Sequence, residues 1–305
     1  LDDSSTSSTK QERVVNPVGQ SFSPGNFEVL EVLPHDPAAF TQGLTYYDGY
    51  LYEGTGMHGE SQIHKLHPSN PSLPLSDPPP TKLVNRYFGE GITYYSSGDD
   101  DDGHRPLIIQ LTWREKTGFI YDARTLQKIR EFTYTTTTGE GWGITYDKLR
   151  KEFVVSDGSE YLHFWDRDTL EERRRVKVML NRGGAEAPLI PVNYLNELEF
   201  MQRGVGGRGR QRGSDERDDN DDNKGESTSS STILANVWFQ NLLLEIDPSS
   251  GLVVKLYNFE TLYVNRIEGT DVFNGVSISS DKEEDDSIVY VTGKYWPHLF
   301  KVRLL

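Results

Sequence analysis

A seven-residue phrase recurs five times in this chain, and its spacing constrains the fold more than any bulk property does. It reads FTQGLTY from Phe40, FGEGITY from Phe88, EGWGITY from Glu140, YLNELEF from Tyr194 and VFNGVSI from Val272. Counted from Gln42 to Glu90, Trp142, Asn196 and Asn274, the intervals are 48, 52, 54 and 78 residues. The last interval contains a low-complexity stretch, so the underlying period is roughly 50 residues, the signature of propeller blades or a solenoid.

Each repeat follows one grammar. The phrase itself is a first short strand. A polar turn follows, Asp48-Gly49 in the first repeat, which is a hairpin signal. A second, apolar strand covers 51–56, 107–113, 153–158, 233–238 and 289–294. A third strand covers 63–66, 118–122, 162–166, 242–247 and 299–304. A fourth leads into the next phrase over 82–87, 128–134, 174–178 and 253–259. The fifth repeat stops after its third strand. The apolar run Phe27 to Leu33 precedes the first repeat and has no blade of its own. Joining the two removes the open edges of a circular array. The expected fold is therefore all-β: a five-bladed β-propeller closed by an N-terminal strand, forming one domain over 25–305. Residues 1–24 are Ser, Thr, Gln and charge, and are expected to be disordered. Residues 203–231 run from Arg/Gly into Asp/Asn and then Ser/Thr, and read as a disordered insertion. Residues 69–81, rich in Pro and Ser, read as a loop.

Composition narrows the function classes. A net charge of −15 argues against nucleic acid as a partner. The absence of cysteine excludes disulfides, zinc–thiolate centres and thiol nucleophiles. No apolar run approaches the ~20 residues of a membrane span. The chain begins at Leu1, which reads as a processed start; the expected location is the secretory pathway or the exterior, and the expected state a monomer.

The register also places a site. In a propeller the start of each inner strand and the end of the second strand share one face. The hairpins between them, with the acidic and low-complexity insertions, lie on the other. Two rings then converge on one channel mouth. The first is Gln42, Glu90, Trp142, Asn196 and Asn274, with Phe40, Phe88, Glu140, Tyr194 and Val272 two positions earlier on the same side of the pleat. The second is Gly56, Trp113, Gly158, Trp238 and Lys294. Repeated packing keeps one residue type at equivalent positions. Here the backbone pattern repeats while the ring residue changes, which suits a binding site. Glu140, Glu197 and Glu199 are expected to support the site rather than catalyse.

On these residues the sequence resembles the plant and bacterial glutaminyl cyclase family, the papaya-type glutaminyl-peptide cyclotransferases. The resembling segments are FTQGL at 40–44, FGEGIT at 88–93, QLTW at 110–113, GEGWGIT at 139–145, SDGS at 156–159, LNELE at 195–199, ANVW at 235–238, FNGV at 273–276 and TGKYW at 292–296. The resemblance implies a five-bladed propeller that converts an N-terminal glutamine of a peptide or protein to pyroglutamate with loss of ammonia. It implies no cofactor and no metal. It implies Glu90 as the catalytic carboxyl. Phe40, Gln42, Phe88, Trp113, Trp142, Asn196, Trp238 and Lys294 are implied around the substrate; Asn274 joins them from its ring position. Two alternatives remain: a metal-dependent propeller lactonase holding Ca²⁺ through Glu90, Asn196 and Asn274, and a non-catalytic peptide-binding propeller.

Overall fold

The computed structural model describes residues 25–98, 104–181, 188–202, 231–279 and 287–305. Residues 1–24, and 203–230 of the expected insertion, lie outside them. The described chain is all-β, and it forms five small antiparallel blade sheets and one separate two-stranded hairpin. The first blade runs outward through Thr41–Tyr47, Tyr50–Thr55 and Gln62–His67. The second comprises Gly89–Ser97, Arg105–Thr112, Thr117–Asp122 and Lys128–Thr133. The third comprises Ile144–Asp147, Glu152–Ser156, Tyr161–Asp166 and Glu172–Lys177. The fourth comprises Leu195–Gln202, Ser231–Val237, Leu242–Ile246 and Val253–Asn258. The fifth comprises Phe273–Ile278, Ile288–Gly293 and His298–Leu304, and Phe27–Pro34 pairs antiparallel with its third strand as the outer edge. The N-terminal strand thus closes the ring as expected.

Burial falls from the axis outward, and the sequence follows it. The second strands are buried along almost their whole length, so they read as continuous apolar runs rather than alternating ones. The outer strands Lys128–Thr133 and Glu172–Lys177 are mostly exposed, and are correspondingly rich in charge. The core divides into five clusters of buried apolar residues among the described residues, one at each blade interface. Tyr52 and Ile63 meet Ile108 and Phe119 between the first two blades. Leu44, Leu51 and Leu66 meet Tyr290 and Leu299 where the ring closes. Each blade is stabilised by both neighbours, so the ring must close before the core is complete.

Two local expectations are corrected. Residues 69–81 are not simply a loop, because Asn70–Pro74 pairs with the third strand of the first blade. The expected fourth strand at 82–87 shrinks to Thr81–Lys82, which pairs with Gln62 and Ile63 of the same strand. The prolines that suggested a loop are tolerated because an outer edge needs no donor on its solvent side. A small hairpin, Met179–Asn181 with Leu189–Pro191, was also not anticipated.

At the closure, a buried charge cluster fixes the chain as it leaves the closing strand. His35 Nε2 lies 3.1 Å from Glu53 Oε1, and His35 Nδ1 lies 2.8 Å from the Trp296 carbonyl oxygen. His64 Nε2 lies 2.8 Å from the other Glu53 oxygen, and the Thr41 hydroxyl donates to Glu53 at 2.6 Å. Burial alone would lower the His35 pKa, but the Glu53 carboxylate and the Trp296 carbonyl raise it above its ordinary value. Both ring nitrogens face acceptors, which suits an imidazolium.

Candidate active site

Every inner strand carries a β-bulge at the same register. Glu90 and Gly91 together oppose one residue of the second strand, and so do Asn196 with Glu197 and Asn274 with Gly275. The register shifts at Gln42 in the first blade. In the third blade the ladder begins only at Ile144, and Trp142 and Gly143 share Ser156 as partner through hydrogen bonds of 3.0 Å each. A bulge leaves one residue unpaired and re-aims its side chain. The five first-ring residues are therefore the bulged ones. The small residue after them is explained by proximity: a Cβ on Gly91 would lie 2.6 Å from the Trp142 carbonyl oxygen, and one on Gly143 2.1 Å from that of Asn196. The fourth blade breaks this rule with Glu197.

Four of the five bulged residues line one cavity of about 320 Å³. Gln42, Glu90, Trp142 and Asn196 come from the inner strands, and Trp113, Trp238 and Lys294 from the ends of the second strands. Phe40, Phe88 and Glu140, from two positions before the bulge, complete the walls with Met57 and Arg114. Asn274 stands apart. It is fully buried, and its Nδ2 donates to the Thr41 carbonyl at 3.0 Å, tying the fifth blade to the first. Gly56 and Gly158 leave room for rings: a Cβ on Gly56 would lie 2.5 Å from Phe88, and one on Gly158 2.6 Å from Trp142. Met57 and Arg114 were missed, because each lies one residue beyond the second strand expected from the sequence, and two beyond the strand observed.

The aromatic wall forms two runs, bridged by Glu140. Phe40 meets Phe88 edge-on at 6.0 Å between centroids, Phe88 meets Trp113 at 5.7 Å, and Trp142 meets Trp238 edge-on at 5.3 Å. Two tryptophans are held by one carboxylate. Glu140 Oε2 accepts from Trp113 Nε1 at 2.8 Å and from Trp142 Nε1 at 3.0 Å. Its Oε1 accepts from Arg114 Nε at 2.8 Å, and that guanidinium lies over the Trp113 ring. Burial pushes the Glu140 carboxyl up, but these donors outweigh it and hold the group below its ordinary value. The loop carrying Glu140 is anchored by Asp157, which accepts from Thr138 N at 2.8 Å. Ser156, beside it, donates to the Asn196 carbonyl at 2.6 Å and accepts from Gly143 N.

Glu90 has the opposite environment. It is 4% exposed. Burial drives its carboxyl well above the ordinary range; Lys294 opposes this, while the charges of Glu140 and Glu115 add to it. Burial likewise lowers the Lys294 ammonium, against Glu90 and Asp271. Lys294 Nζ sits 4.6 Å from the centre of the Phe40 ring. Gln42 and Asn196 each present a buried side-chain oxygen with no protein partner. A buried acceptor without a donor requires an explanation, and a ligand carrying N–H groups supplies one.

This fold and pocket define a class: a five-bladed propeller with a single strongly perturbed carboxyl inside an aromatic box. The chain belongs to the glutamine cyclotransferase family, whose profile matches residues 4–206 and 216–304. It is similar to a glutaminyl-peptide cyclotransferase of Arabidopsis thaliana, with 31% identity over 282 residues, covering 91% of this chain and 71% of that protein. It is also similar to the crystal structure of Myxococcus xanthus glutaminyl cyclase, with 27% identity and a TM-score of 0.65, covering 92% of this chain and 98% of that one.

Proposed function

We infer that this pocket converts an N-terminal glutamine of a peptide or protein to pyroglutamate and ammonia. The observation that carries the reading is Glu90, a buried carboxyl raised well above its ordinary pKa inside an aromatic box. In this reaction the substrate's α-amine attacks its own γ-carboxamide carbon. Ring closure is intramolecular, so the walls chiefly hold a near-attack conformer. The attacking nitrogen must shed one proton, and the departing amide nitrogen must gain one. Protonated Glu90 gives its proton to the leaving NH₂, the C–N bond breaks, and ammonia departs. The resulting carboxylate takes up the proton shed by the attacking nitrogen, and the residue ends as it began. A raised pKa keeps the acid form available near neutrality. The attacking amine must be neutral, and its ordinary pKa is about 8.

The other polar groups fit the same pose. The Gln42 and Asn196 oxygens are acceptors for the amine and carboxamide N–H groups. Lys294 is a donor toward the oxygen that gains charge as the amine attacks. The tryptophans exclude water that would hydrolyse the amide.

The lactonase alternative needs Glu90, Asn196 and Asn274 around one ion. Asn274 does not line the cavity that Glu90 and Asn196 share. The test is incubation with a glutamine-initiated dipeptide, with and without EDTA. EDTA-resistant release of ammonia is expected. EDTA-sensitive ester hydrolysis would favour the lactonase, and no turnover would leave a binding propeller.

A further inference from the structure

Tyr194 and Phe239 are the two exposed aromatic side chains among the described residues, at 52% and 69% of their surface. Both touch one residue, the pocket wall Trp238. Phe239 stacks on its ring at 3.9 Å between centroids, and Tyr194 meets it at 6.2 Å. Trp238 in turn meets Trp142 inside the cavity. An unbroken aromatic path therefore runs from the pocket floor to the surface.

The backbone holds both rings at positive φ, 65° for Tyr194 and 64° for Phe239. This conformation is unfavourable for bulky residues and persists where surrounding structure enforces it, often at functional sites. For Tyr194 the enforcement is visible. Tyr194 N donates to the Gly158 carbonyl at 2.9 Å, and Trp238 N donates to the Tyr194 carbonyl at 2.8 Å. Two large apolar side chains are thus kept in water, under strain, beside the pocket mouth. Positive φ recurs after the second strands of the first and fifth blades, at Met57 and Tyr295, so the turn accounts for the Phe239 backbone but not for the exposure of the two rings.

We propose that Tyr194 and Phe239 form a shelf for the side chain of the substrate's second residue, so that peptides with a large aromatic or apolar residue after the glutamine are preferred. The inference rests on the proposed cyclisation. A glutamine seated at Glu90 must send the rest of its peptide out through the mouth. The second side chain is the first one free of the cavity. An aromatic group there stacks on Phe239 and covers apolar surface that is otherwise wet.

The experiment compares kcat/KM for Gln-Phe-amide and Gln-Gly-amide. The wild-type protein is expected to favour Gln-Phe-amide by roughly tenfold, the range of one good aromatic contact. The Tyr194→Asn/Phe239→Asn double variant removes both rings but keeps residues that tolerate positive φ, so the backbone is retained. Its preference is expected to fall to within about twofold, chiefly through KM for Gln-Phe-amide. A full wild-type preference in a double variant of unchanged circular dichroism would overturn the shelf. So would equal use of the two peptides by the wild type. Absence of turnover with either peptide would instead overturn the cyclisation on which the shelf rests.

Discussion

Two carboxyl groups in one pocket are driven in opposite directions, and that contrast assigns their roles. Glu90 is buried among rings and held toward its protonated form; Glu140 takes three strong donors and is held ionised. Only the first can hand over a proton near neutrality. Glu90→Gln keeps the shape of the side chain and removes the proton. Acid–base catalysis is worth ~10²–10⁴ in rate, so kcat is expected to fall at least about a hundredfold while peptide binding survives. Steady-state kinetics with a separate binding measurement checks this. Glu140→Gln keeps one oxygen for the two indoles and removes a negative charge. Glu90 then faces Lys294 and Glu115 without that charge, so its carboxylate form becomes less unfavourable and its pKa falls. The limb of the kcat/KM pH profile set by Glu90 is expected to move to lower pH, with kcat at the optimum within about tenfold of wild type. An unmoved profile would show that Glu140 acts on the indoles alone.

At the scale of strands, the closing strand and the bulges matter most. Deleting residues 1–24 removes nothing from the described sheets. Deleting through Leu33 strips the outer strand from the fifth blade and the chain that delivers His35 to Glu53. The first truncation is expected to melt with the full chain and the second far below it; equal melting temperatures would refute closure by this strand. Residues between Gln202 and Ser231 join the fourth blade's inner and second strands at the end away from the pocket, since Leu195 and Val237 pair at the pocket end. Loop length affects stability only weakly. Replacing them with a short Gly-Ser turn is therefore expected to leave kcat/KM near wild type. The five blades were legible because one phrase repeats, and most of the pocket followed because the register fixes which strand ends share a face. The bulges were not legible. A bulge is a mismatch between two strands, and neither strand records it alone. Asn274 keeps its ring position yet does not line the cavity, and its Nδ2 turns to the Thr41 carbonyl of the first blade, a contact between blades that neither strand records alone. The Glu140 clasp was hidden as well, since it joins residues from two blades across the mouth.

At the scale of the whole ring, the anomaly is the fourth blade, where Glu197 replaces the small residue of the other bulges. Its carboxyl reaches across the axis and accepts from Leu44 N of the first blade at 3.0 Å and Val276 N of the fifth at 2.8 Å. Glu199, two residues on, accepts from Ile278 N at 3.1 Å. Glu197 thereby links the fourth blade to the first, which it does not adjoin, and both side chains tie it to the fifth, at the expense of setting a buried carboxyl beside a half-buried one. Burial raises both, and Glu199 is pushed up to about 8. A carboxyl whose pKa is raised by folding contributes its stability in full below about 4.5, its unfolded value. That contribution declines as pH rises and is lost through about 8. His35 acts in the same sense, because its raised pKa stabilises the fold below about 6.5 and the gain is lost as pH rises through its folded value. The melting temperature is therefore expected to fall between pH 5 and pH 9. Each pKa unit corresponds to about 1.4 kcal/mol, so Glu199 alone makes that slope measurable. Glu199→Gln separates the causes. An amide oxygen still accepts from Ile278 N, yet nothing at that position can ionise. The variant is expected to melt near wild type at pH 5 and above it at pH 9, and scanning calorimetry across that range decides the matter. A variant that follows the wild-type curve at both ends would place the pH dependence at His35 or Glu197 instead.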